Sequence, residues 1–134
     1  MKRKTTIIMP AYNAARTLAK VYQHIDKTIV NDVILVDDGS KDATVNLAKQ
    51  LKLHTLVHAH NQGYGGNQKT CYTEALKRGA DFVIMLHPDG QYDPHDLPKF
   101  ISKLEAGNDL VLGSRFLQGG DKKTPLYKSL SIRV

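Results

Sequence analysis

The chain lacks several features that would place it in a specialised class of protein. Its 134 residues include a single cysteine, Cys71, which excludes an internal disulfide. The longest unbroken apolar run, residues 82–86, is far shorter than the roughly twenty residues that span a bilayer. Only residues 7–9 form an apolar run between the basic start and Pro10, so we expect no signal peptide. These absences predict a cytoplasmic protein.

Signatures of common nucleotide-binding and nucleic-acid-binding proteins are also missing. No G-x-x-x-x-G-K-S/T motif occurs, which argues against a P-loop NTPase. Gly63, Gly65 and Gly66 form a glycine-rich loop, but the third glycine of a dinucleotide fingerprint is absent. The loop could receive a phosphate on its backbone N–H groups, and a plain tight turn explains it equally well. No basic stripe with interleaved aromatics appears, so we expect no nucleic-acid partner.

Basic residues are in excess, and they concentrate at the two ends of the sequence. Nineteen lysines and arginines against thirteen acidic residues give a formal charge of +6. The excess lies in residues 2–4 and 115–133. This distribution favours anionic partners such as phosphates or an acidic membrane surface, to which the protein would bind peripherally. A solvated basic face without a partner fits the charge equally well.

Apolar runs and helical patterns alternate along the chain, which predicts a single α/β domain over residues 1–134. Because each right-handed crossover lays its helix on a sheet, the alternation favours a three-layer, mostly parallel sheet. If the strand order is 3-2-1-4, the topological switch point lies between strands one and four. The predicted strands are residues 5–9, 32–36, 54–58, 81–86 and 110–112. The predicted helices cover residues 18–29, 43–51, the stripe Cys71, Ala75 and Leu76, and residues 97–104.

Carboxylates follow two of these strands at the point where each strand ends. Asp37 and Asp38 close the second strand, and Asp89 follows the fourth. In the predicted order these residues meet Pro10 to Asn13 at one edge of the sheet, where such folds bind ligands. Each aspartate alone could be a turn former. Their convergence favours a site for a sugar, a nucleotide or a divalent cation, with Mg or Mn bound to a diphosphate.

His58, His60 and Cys71 are close in sequence, which raises a metal site or a Cys-His nucleophile as an alternative. Nothing nearby completes a ligand set, and histidines in strands are usually structural. Cys71 falls on the inward stripe of its helix. We therefore expect these residues to have structural roles, with Cys71 packed in the core.

Five short motifs, taken in order, resemble those of family-two glycosyltransferases of GT-A fold. The motifs are P-A-Y-N at 10–13, V-D-D-G-S at 36–40, N-Q-G-Y-G at 61–65, P-D-G-Q at 88–91 and G-S-R at 113–115. Their order and spacing fit across nearly the whole chain. The D-G-Q-Y-D-P and G-S-R-F stretches are similar to the branch with dolichyl-phosphate mannose synthase and other polyprenyl-phosphate glycosyltransferases.

The resemblance implies a set of site residues. Asp89 would bind a divalent metal and, through it, the donor diphosphate, with His87 as a second ligand or a neighbour. Arg115 would lie on the acceptor side, and Lys69 or Gln68 would approach the phosphates. The general base is not implied by any residue. The implied nucleotide-binding set is Pro10, Ala11, Tyr12, Asn13, Asp37, Asp38, Gly63, Lys69 and Asp89.

The sequence departs from the family pattern at two positions. His87 occupies the first position of the D-x-D motif, which leaves the identity of the metal open. Ala14 stands where a glutamate often follows Y-N, which leaves the base preference open. The resemblance does not identify the sugar, and the oligomeric state is equally open.

The implied activity is inverting transfer of a sugar from a UDP- or GDP-linked donor to an acceptor such as a polyprenyl phosphate. No helix-ending signal follows residues 128–134, so we expect that the acceptor part of a longer protein is missing and that this chain alone has little activity. Two alternatives stay open. One is a non-catalytic nucleotide-binding or interaction module on the same fold, and the other is a nucleotidyltransferase.

Overall fold

The structure is a computed structural model that describes residues 3–114. Within this range four strands alternate with four helices, and a single 3-10 turn, Pro94–Asp96, precedes the last helix. No helix in this range is long and apolar enough to cross a membrane. The strands are β1 Thr5–Ala11, β2 Asp32–Asp37, β3 His54–Val57 and β4 Phe82–Met85. The helices are α1 Leu18–Gln23, α2 Thr44–Gln50, α3 Gly63–Lys77 and α4 Leu97–Glu105.

The four strands form one parallel sheet in the order β3-β2-β1-β4, which confirms the predicted order. The chain moves outward from β1 to β3 and then returns past β1 to β4. A right-handed crossover puts its helix on one face when the chain moves toward β3 and on the other face when it moves toward β4. Helix α3 therefore lies on the opposite face from α1 and α2. The switch point therefore lies between β1 and β4, at the carboxyl ends of the strands.

Both faces of the sheet are buried, which confirms the three-layer architecture. Alternate residues of β1 face opposite sides, so Ile7 and Met9 pack with α1, α2 and α4, whereas Ile8 packs with α3. On the α3 side, Cys71 and Ala75 are fully buried against Ile34. Full burial of a large aliphatic side chain such as Ile34 contributes about 1.5–3 kcal/mol to the stability of the fold. The position of Cys71 confirms its predicted role in the core.

Strand β1 continues through Pro10, although the sequence predicted that it stops at Met9. The carbonyl of Ala11 accepts from the N–H of Asp38 on the β2 side, and that of Ile8 accepts from Leu86 on the β4 side. Because backbone groups alternate, the missing N–H of Pro10 faces β4, where pairing has already ended. Proline therefore removes no ladder hydrogen bond at this position.

Three local expectations were wrong. Leu76 is 68% exposed because it lies 100° around the helix from Ala75, outside the inward stripe. Helix α1 ends at Gln23, well short of residue 29, and a turn follows in which Asp26 accepts from the backbone N–H of Thr28. Residues 110–112 form no strand and pair with no other strand in the described range.

Candidate functional site

Asp37 shapes the turn that follows β2. Its Oδ2 accepts hydrogen bonds from the N–H groups of Gly39, at 3.1 Å, and Ser40, at 2.9 Å. Gly39 has φ of 81°, a conformation that favours glycine. The Asp37 side chain is fully buried, and its Oδ1 has no hydrogen-bond partner among the described residues. Asp37 was predicted to bind the nucleotide, but its contacts are those of a residue that forms a turn.

Asn13 joins the loop after β1 to the loop after β2. Its backbone N–H donates to Ser40 Oγ at 2.7 Å, and its side-chain Oδ1 accepts from the N–H of Lys41 at 2.9 Å. The next residue, Ala14, donates its N–H to the buried hydroxyl of Thr44 at 2.8 Å. Asn13 adopts φ of 51°, which asparagine tolerates better than most residues. These bonds fix the two loops as one rigid edge.

Asp38 is a buried carboxylate held from two directions. The side chains of Asp38 and His58 are 5% and 8% exposed, and Asp38 Oδ1 lies 2.7 Å from Nδ1 of His58. The same oxygen accepts from the N–H of Gln62 at 2.8 Å. Burial by itself would raise the pKa of Asp38, but the hydrogen bonds from Gln62 and His58 outweigh it, and the pKa lies below its ordinary value. Asp38 is therefore ionised at neutral pH.

His58 links this carboxylate to helix α3. Its Nε2 lies 2.9 Å from the hydroxyl of Thr70. Sequence reasoning took His58 as structural and did not connect it with Asp38. The register of the sheet explains the contact. Asp37 pairs with Val57, so the residues that follow the two strands, Asp38 and His58, are neighbours.

A cavity of about 210 Å³ opens at this edge, and we call it the rim cavity. It brings together five of the nine predicted nucleotide-binding residues, from β1, the end of β2 and the start of α3. Tyr12 is 53% exposed at its mouth. Buried Asn67, which the sequence did not single out, donates to the carbonyl of Val36 at 3.0 Å and so ties α3 to β2. The rim cavity is lined by Pro10, Ala11, Tyr12, Asp38, Asn61, Gly63, Tyr64 and Asn67.

The loop after β4 carries His87 and Asp89 beside Tyr64. Asp89 is exposed, and its Oδ1 accepts from the N–H of Gln91 at 2.9 Å. The Tyr64 hydroxyl lies 3.0 Å from Nε2 of His87, and the two rings stack with centroids 5.5 Å apart. The carbonyl of Pro88 accepts from the hydroxyl of Thr17 at 2.6 Å, which ties this loop to the start of α1.

Tyr64 borders two cavities. It lines the rim cavity and also a larger cavity of about 370 Å³ beside β4, together with His87 and Tyr92. Burial raises the pKa of Tyr64, and Tyr92 and Asp89 add to the shift, so the phenol keeps its hydrogen at neutral pH. The Tyr64 ring thus stands between Asp38 and the loop that carries Asp89. Asp89 itself lines neither cavity.

The donors on this loop fit a metal that arrives with a diphosphate. Among residues 3–114 no group of three or more His, Cys, Asp and Glu side chains could hold a metal ion. Asp89 keeps one carboxylate oxygen clear of its turn hydrogen bond, and His87 lies two residues before it. Mg²⁺ is usually bound by one or two carboxylates plus substrate phosphates and waters, so a full protein cage is not needed.

Four of the nine predicted nucleotide-binding residues do not line the rim cavity, namely Asn13, Asp37, Lys69 and Asp89. Lys69 is exposed on α3 and does not contribute to the cavity wall. Its alternative, Gln68, directs its amide toward the sulfur of Met85 at 3.4 Å. Arg115 lies outside the residues that the structure describes.

Relatives with known names match most of the chain. It is 30% identical to UDP-N-acetylglucosamine–dolichyl-phosphate N-acetylglucosaminyltransferase of Methanococcus voltae, over 92% of this chain and 57% of that protein. It is 29% identical to polyprenol monophosphomannose synthase of Mycolicibacterium smegmatis, over 88% of this chain and 47% of that protein. The chain thus spans about half the length of these curated relatives.

Two solved structures that contain a uridine nucleotide share the fold. S. aureus TarS 1-349 in complex with UDP-GlcNAc matches 86% of this chain and 38% of its own, with a TM-score of 0.63 and 18% identity. Glucosyl-3-phosphoglycerate synthase from Mycobacterium tuberculosis, in complex with Mn²⁺, UDP and glucosyl-3-phosphoglycerate, matches 79% of this chain and 41% of its own. Its TM-score is 0.64, with 19% identity. At these identities the matches show the fold alone, and they confirm the predicted GT-A fold.

The family model that matches this chain is described as glycosyl transferase family 2, and it covers residues 6–131. Apart from Thr5, the first residue of β1, the match covers every described element, and it confirms the family that the five motifs predicted. The chain belongs to glycosyl transferase family 2.

Proposed function

We propose that this chain is the donor-binding part of an inverting glycosyltransferase that moves a sugar from a UDP- or GDP-linked donor to a polyprenyl phosphate. The observation that carries the proposal is the rim cavity, where a buried, ionised Asp38 and an exposed Tyr12 meet at the carboxyl edge of the sheet. The relatives named for dolichyl-phosphate and polyprenol substrates support the lipid acceptor.

Asp38 is the proposed acceptor for the nucleotide base. The hydrogen bonds with His58 and Gln62 fall on Oδ1, and the backbone N–H of Gly63 also points to the carboxylate, so Oδ2 is the oxygen proposed to receive the base. Uracil and guanine each present a ring N–H that a carboxylate can accept. Tyr12 and Pro10 supply apolar surface on which the base packs, and Gly63 lets the donor approach the α3 backbone closely.

Asp89 and His87 are the proposed holders of a Mg or Mn ion at the donor diphosphate, which Lys69 would approach from α3. The metal, when bound, neutralises the charge that develops on the diphosphate as the sugar leaves. Tyr64 stands between Asp38 and this loop, and its ring fixes the position of His87. The donor would therefore lie with its base at Asp38 and its diphosphate near Asp89.

The proposed acceptor attacks through an oxygen of its own phosphate. That oxygen forms a bond to the anomeric carbon as the bond to the diphosphate breaks on the opposite face, which inverts the configuration. An ionised phosphate has no proton to lose, so no general base is needed. Arg115 would approach this phosphate from the acceptor side, and the basic ends of the chain would favour an acidic membrane surface.

Isothermal titration calorimetry with UDP and GDP, each with and without Mn²⁺, tests the proposal. We expect one of the two nucleotides to bind, with tighter binding when Mn²⁺ is present. Asp89→Ala should remove the effect of the metal, whereas Asp96→Ala is the matched control because the Asp96 side chain is half exposed and pairs with exposed Lys99. Absence of binding of both nucleotides to the unaltered chain would refute the proposal.

A non-catalytic nucleotide-binding module is the second candidate. The observation that favours it is the lack of a third metal donor near His87 and Asp89 within the described part of the chain. Such a module would bind a nucleotide equally well with or without Mn²⁺. Its binding would also be indifferent to Asp89→Ala, which separates the two candidates in the same titration.

A further inference from the structure

We infer that His58 is a positioning residue, which holds the Asp38 carboxylate so that its second oxygen faces the rim cavity. The inference rests on the proposed function, because it assigns how that site is kept in order. His58 itself does not line the rim cavity, so it would act on a nucleotide only through Asp38.

The hydrogen bonds fix the orientation of both side chains. A carboxylate only accepts, so the hydrogen of His58 lies on Nδ1 and is donated to Asp38 Oδ1 across 2.7 Å. The hydroxyl of Thr70 lies 2.9 Å from Nε2 and also donates to the carbonyl of Gly66 at 3.2 Å, so it restrains rotation of the ring from the α3 side. Asp38 thus connects through His58 to helix α3, and its Oδ1 is committed within the protein.

The same contacts order the loop that closes the cavity. Gln62 donates its N–H to Asp38 Oδ1 at 2.8 Å, and Asn61 donates its side-chain amide to the Asp38 carbonyl at 3.0 Å. Asn61 and the following Gly63 both line the rim cavity. A shift of the Asp38 carboxylate would therefore move the cavity wall as well as the proposed base acceptor.

Strand β3 offers a matched control. His54 also bridges to a carboxylate of α3, since its Nε2 lies 2.8 Å from Glu74 Oε1, and its side chain is 34% exposed. It lies four residues earlier, at the other end of the sheet, and does not line the rim cavity. Loss of this pair should affect the packing of β3 on α3 without affecting the nucleotide.

Two conservative variants separate positioning from packing. His58→Asn places its amide nitrogen where Nδ1 stood and keeps the bond to Asp38. His58→Gln places its amide nitrogen near Nε2 and keeps the contact with Thr70 instead. In titrations of the 134-residue chain with UDP and GDP, His58→Gln should weaken binding about tenfold, the effect of losing a hydrogen bond to a charged group. His58→Asn should remain within about threefold of the unaltered chain, and His54→Asn, which loses the contact of Nε2 with Glu74, should not change binding.

A second readout follows Asp38 directly. The pKa of the Asp38 carboxyl, measured by NMR titration, should rise toward that of an ordinary aspartate in His58→Gln, and should rise less in His58→Asn. If His58→Gln fails to fold, Thr70→Val replaces it, because valine keeps the shape of threonine and puts a methyl group in place of the hydroxyl that contacts His58 Nε2 and the Gly66 carbonyl. That variant should weaken nucleotide binding by about threefold, and unchanged binding would overturn the inference.

The order of the variants decides the outcome. Equal effects of His58→Asn and His58→Gln, or a loss in His54→Asn as large as that in His58→Gln, would overturn the inference while the proposed function stands. If the unaltered chain bound neither nucleotide, the proposed function would fail and this inference would fail with it.

Discussion

The two ends of the sheet use similar residues in different ways. At the carboxyl end, Asp38 and His58 are nearly inaccessible to solvent, with side chains 5% and 8% exposed. At the amino end, Asp32 pairs with Arg78 at 2.7 Å and with Lys4 at 3.7 Å, and the two basic side chains are about one third exposed. Among the described residues the buried carboxyl groups, those of Asp37 and Asp38, lie at the carboxyl edge, where a ligand would bind.

The contribution of each charged cluster to stability depends more on its burial than on the number of its partners. The pKa of Asp32 is lowered as well, since the hydrogen bond and charge of Arg78, with Lys4, outweigh the effect of burial. An ion pair whose basic partners are partly exposed, as at Asp32, nevertheless contributes only about 0–1 kcal/mol, because water and salt screen it. Removal of one partner from a buried pair leaves the other unsatisfied and costs more.

Substitution of Asp38 should have the largest effect. Asp38→Ala leaves the Nδ1–H of His58 and the N–H of Gln62 without their acceptor, so we expect a loss of about 2–4 kcal/mol in the free energy of unfolding. Urea unfolding measures it. Asp32→Ala, the control at the other end, should cost about 1 kcal/mol or less. Equal losses in the two variants would contradict the contrast between the two ends.

Glycines with positive φ sharpen the comparison at a smaller cost. Gly39 has φ of 81° at the rim, and Gly79 has φ of 74° after α3 at the opposite end. A Cβ added at Gly39 would meet Asn61 N at an ordinary 3.6 Å, and one at Gly79 would meet nothing within 4 Å. Gly39→Ala and Gly79→Ala should therefore each lose about 1–2 kcal/mol through backbone strain alone.

The two glycine variants should differ in nucleotide binding. Gly39 follows Asp38 and precedes the loop contact between Ser40 and Asn13, so strain at this position should weaken binding of UDP or GDP. Gly79→Ala should bind as the unaltered chain does. Calorimetry on both variants checks this, and weaker binding in Gly79→Ala would show that general destabilisation, not the rim, controls affinity.

The acid dependence of stability gives the smallest expected effect. The folded pKa of Asp38 is lowered, so its contribution to stability is present above the ordinary aspartate pKa of about 3.9 and is lost as pH falls toward the folded value. The pKa of Asp32 is also lowered, so its contribution to stability is likewise lost as the pH falls. Asp38→Asn and Asp32→Asn should each flatten the loss of unfolding free energy below pH 4, a region that urea unfolding can follow.

Salt separates the two contributions. About 0.5 M NaCl shortens the Debye length well below 10 Å and screens exposed charges more than buried ones. The difference between Asp32→Asn and the unaltered chain should therefore shrink in salt, whereas the difference for Asp38→Asn should persist. Equal sensitivity to salt would show that the rim pair is as solvated as the pair at the amino end.

Much of the fold could be predicted from the sequence because its signals are local. Short apolar runs such as that of β2 predict buried strands, and the polar turn after each strand predicts where the chain reverses. The errors arose where neighbours override local pattern. Pro10 continues β1 because β4 has already ended beside it, and residues 110–112 form no strand because no strand pairs with them in the described range.

The candidate site was predicted in part, through motifs that stand at the ends of strands. Pro10, Tyr12, Asp38 and Gly63 converge as expected at one cavity. The different tasks of Asp37 and Asp38 could not be read from V-D-D-G-S, because adjacent residues of a strand point to opposite sides and only packing decides which side holds the cavity. Asp37 forms the turn, and Asp38 lines the cavity.

The sequence by itself determined the class of fold, the family and the edge of the sheet that carries the polar residues, because hydrophobic period and motif order are encoded along the chain. Only the tertiary structure decided that His58 holds Asp38, that Tyr64 stands beside His87, and that Asp89 lines neither cavity next to Tyr64. These contacts join residues 20 and more positions apart. Such contacts depend on strand register and helix placement, which no local pattern of residues specifies.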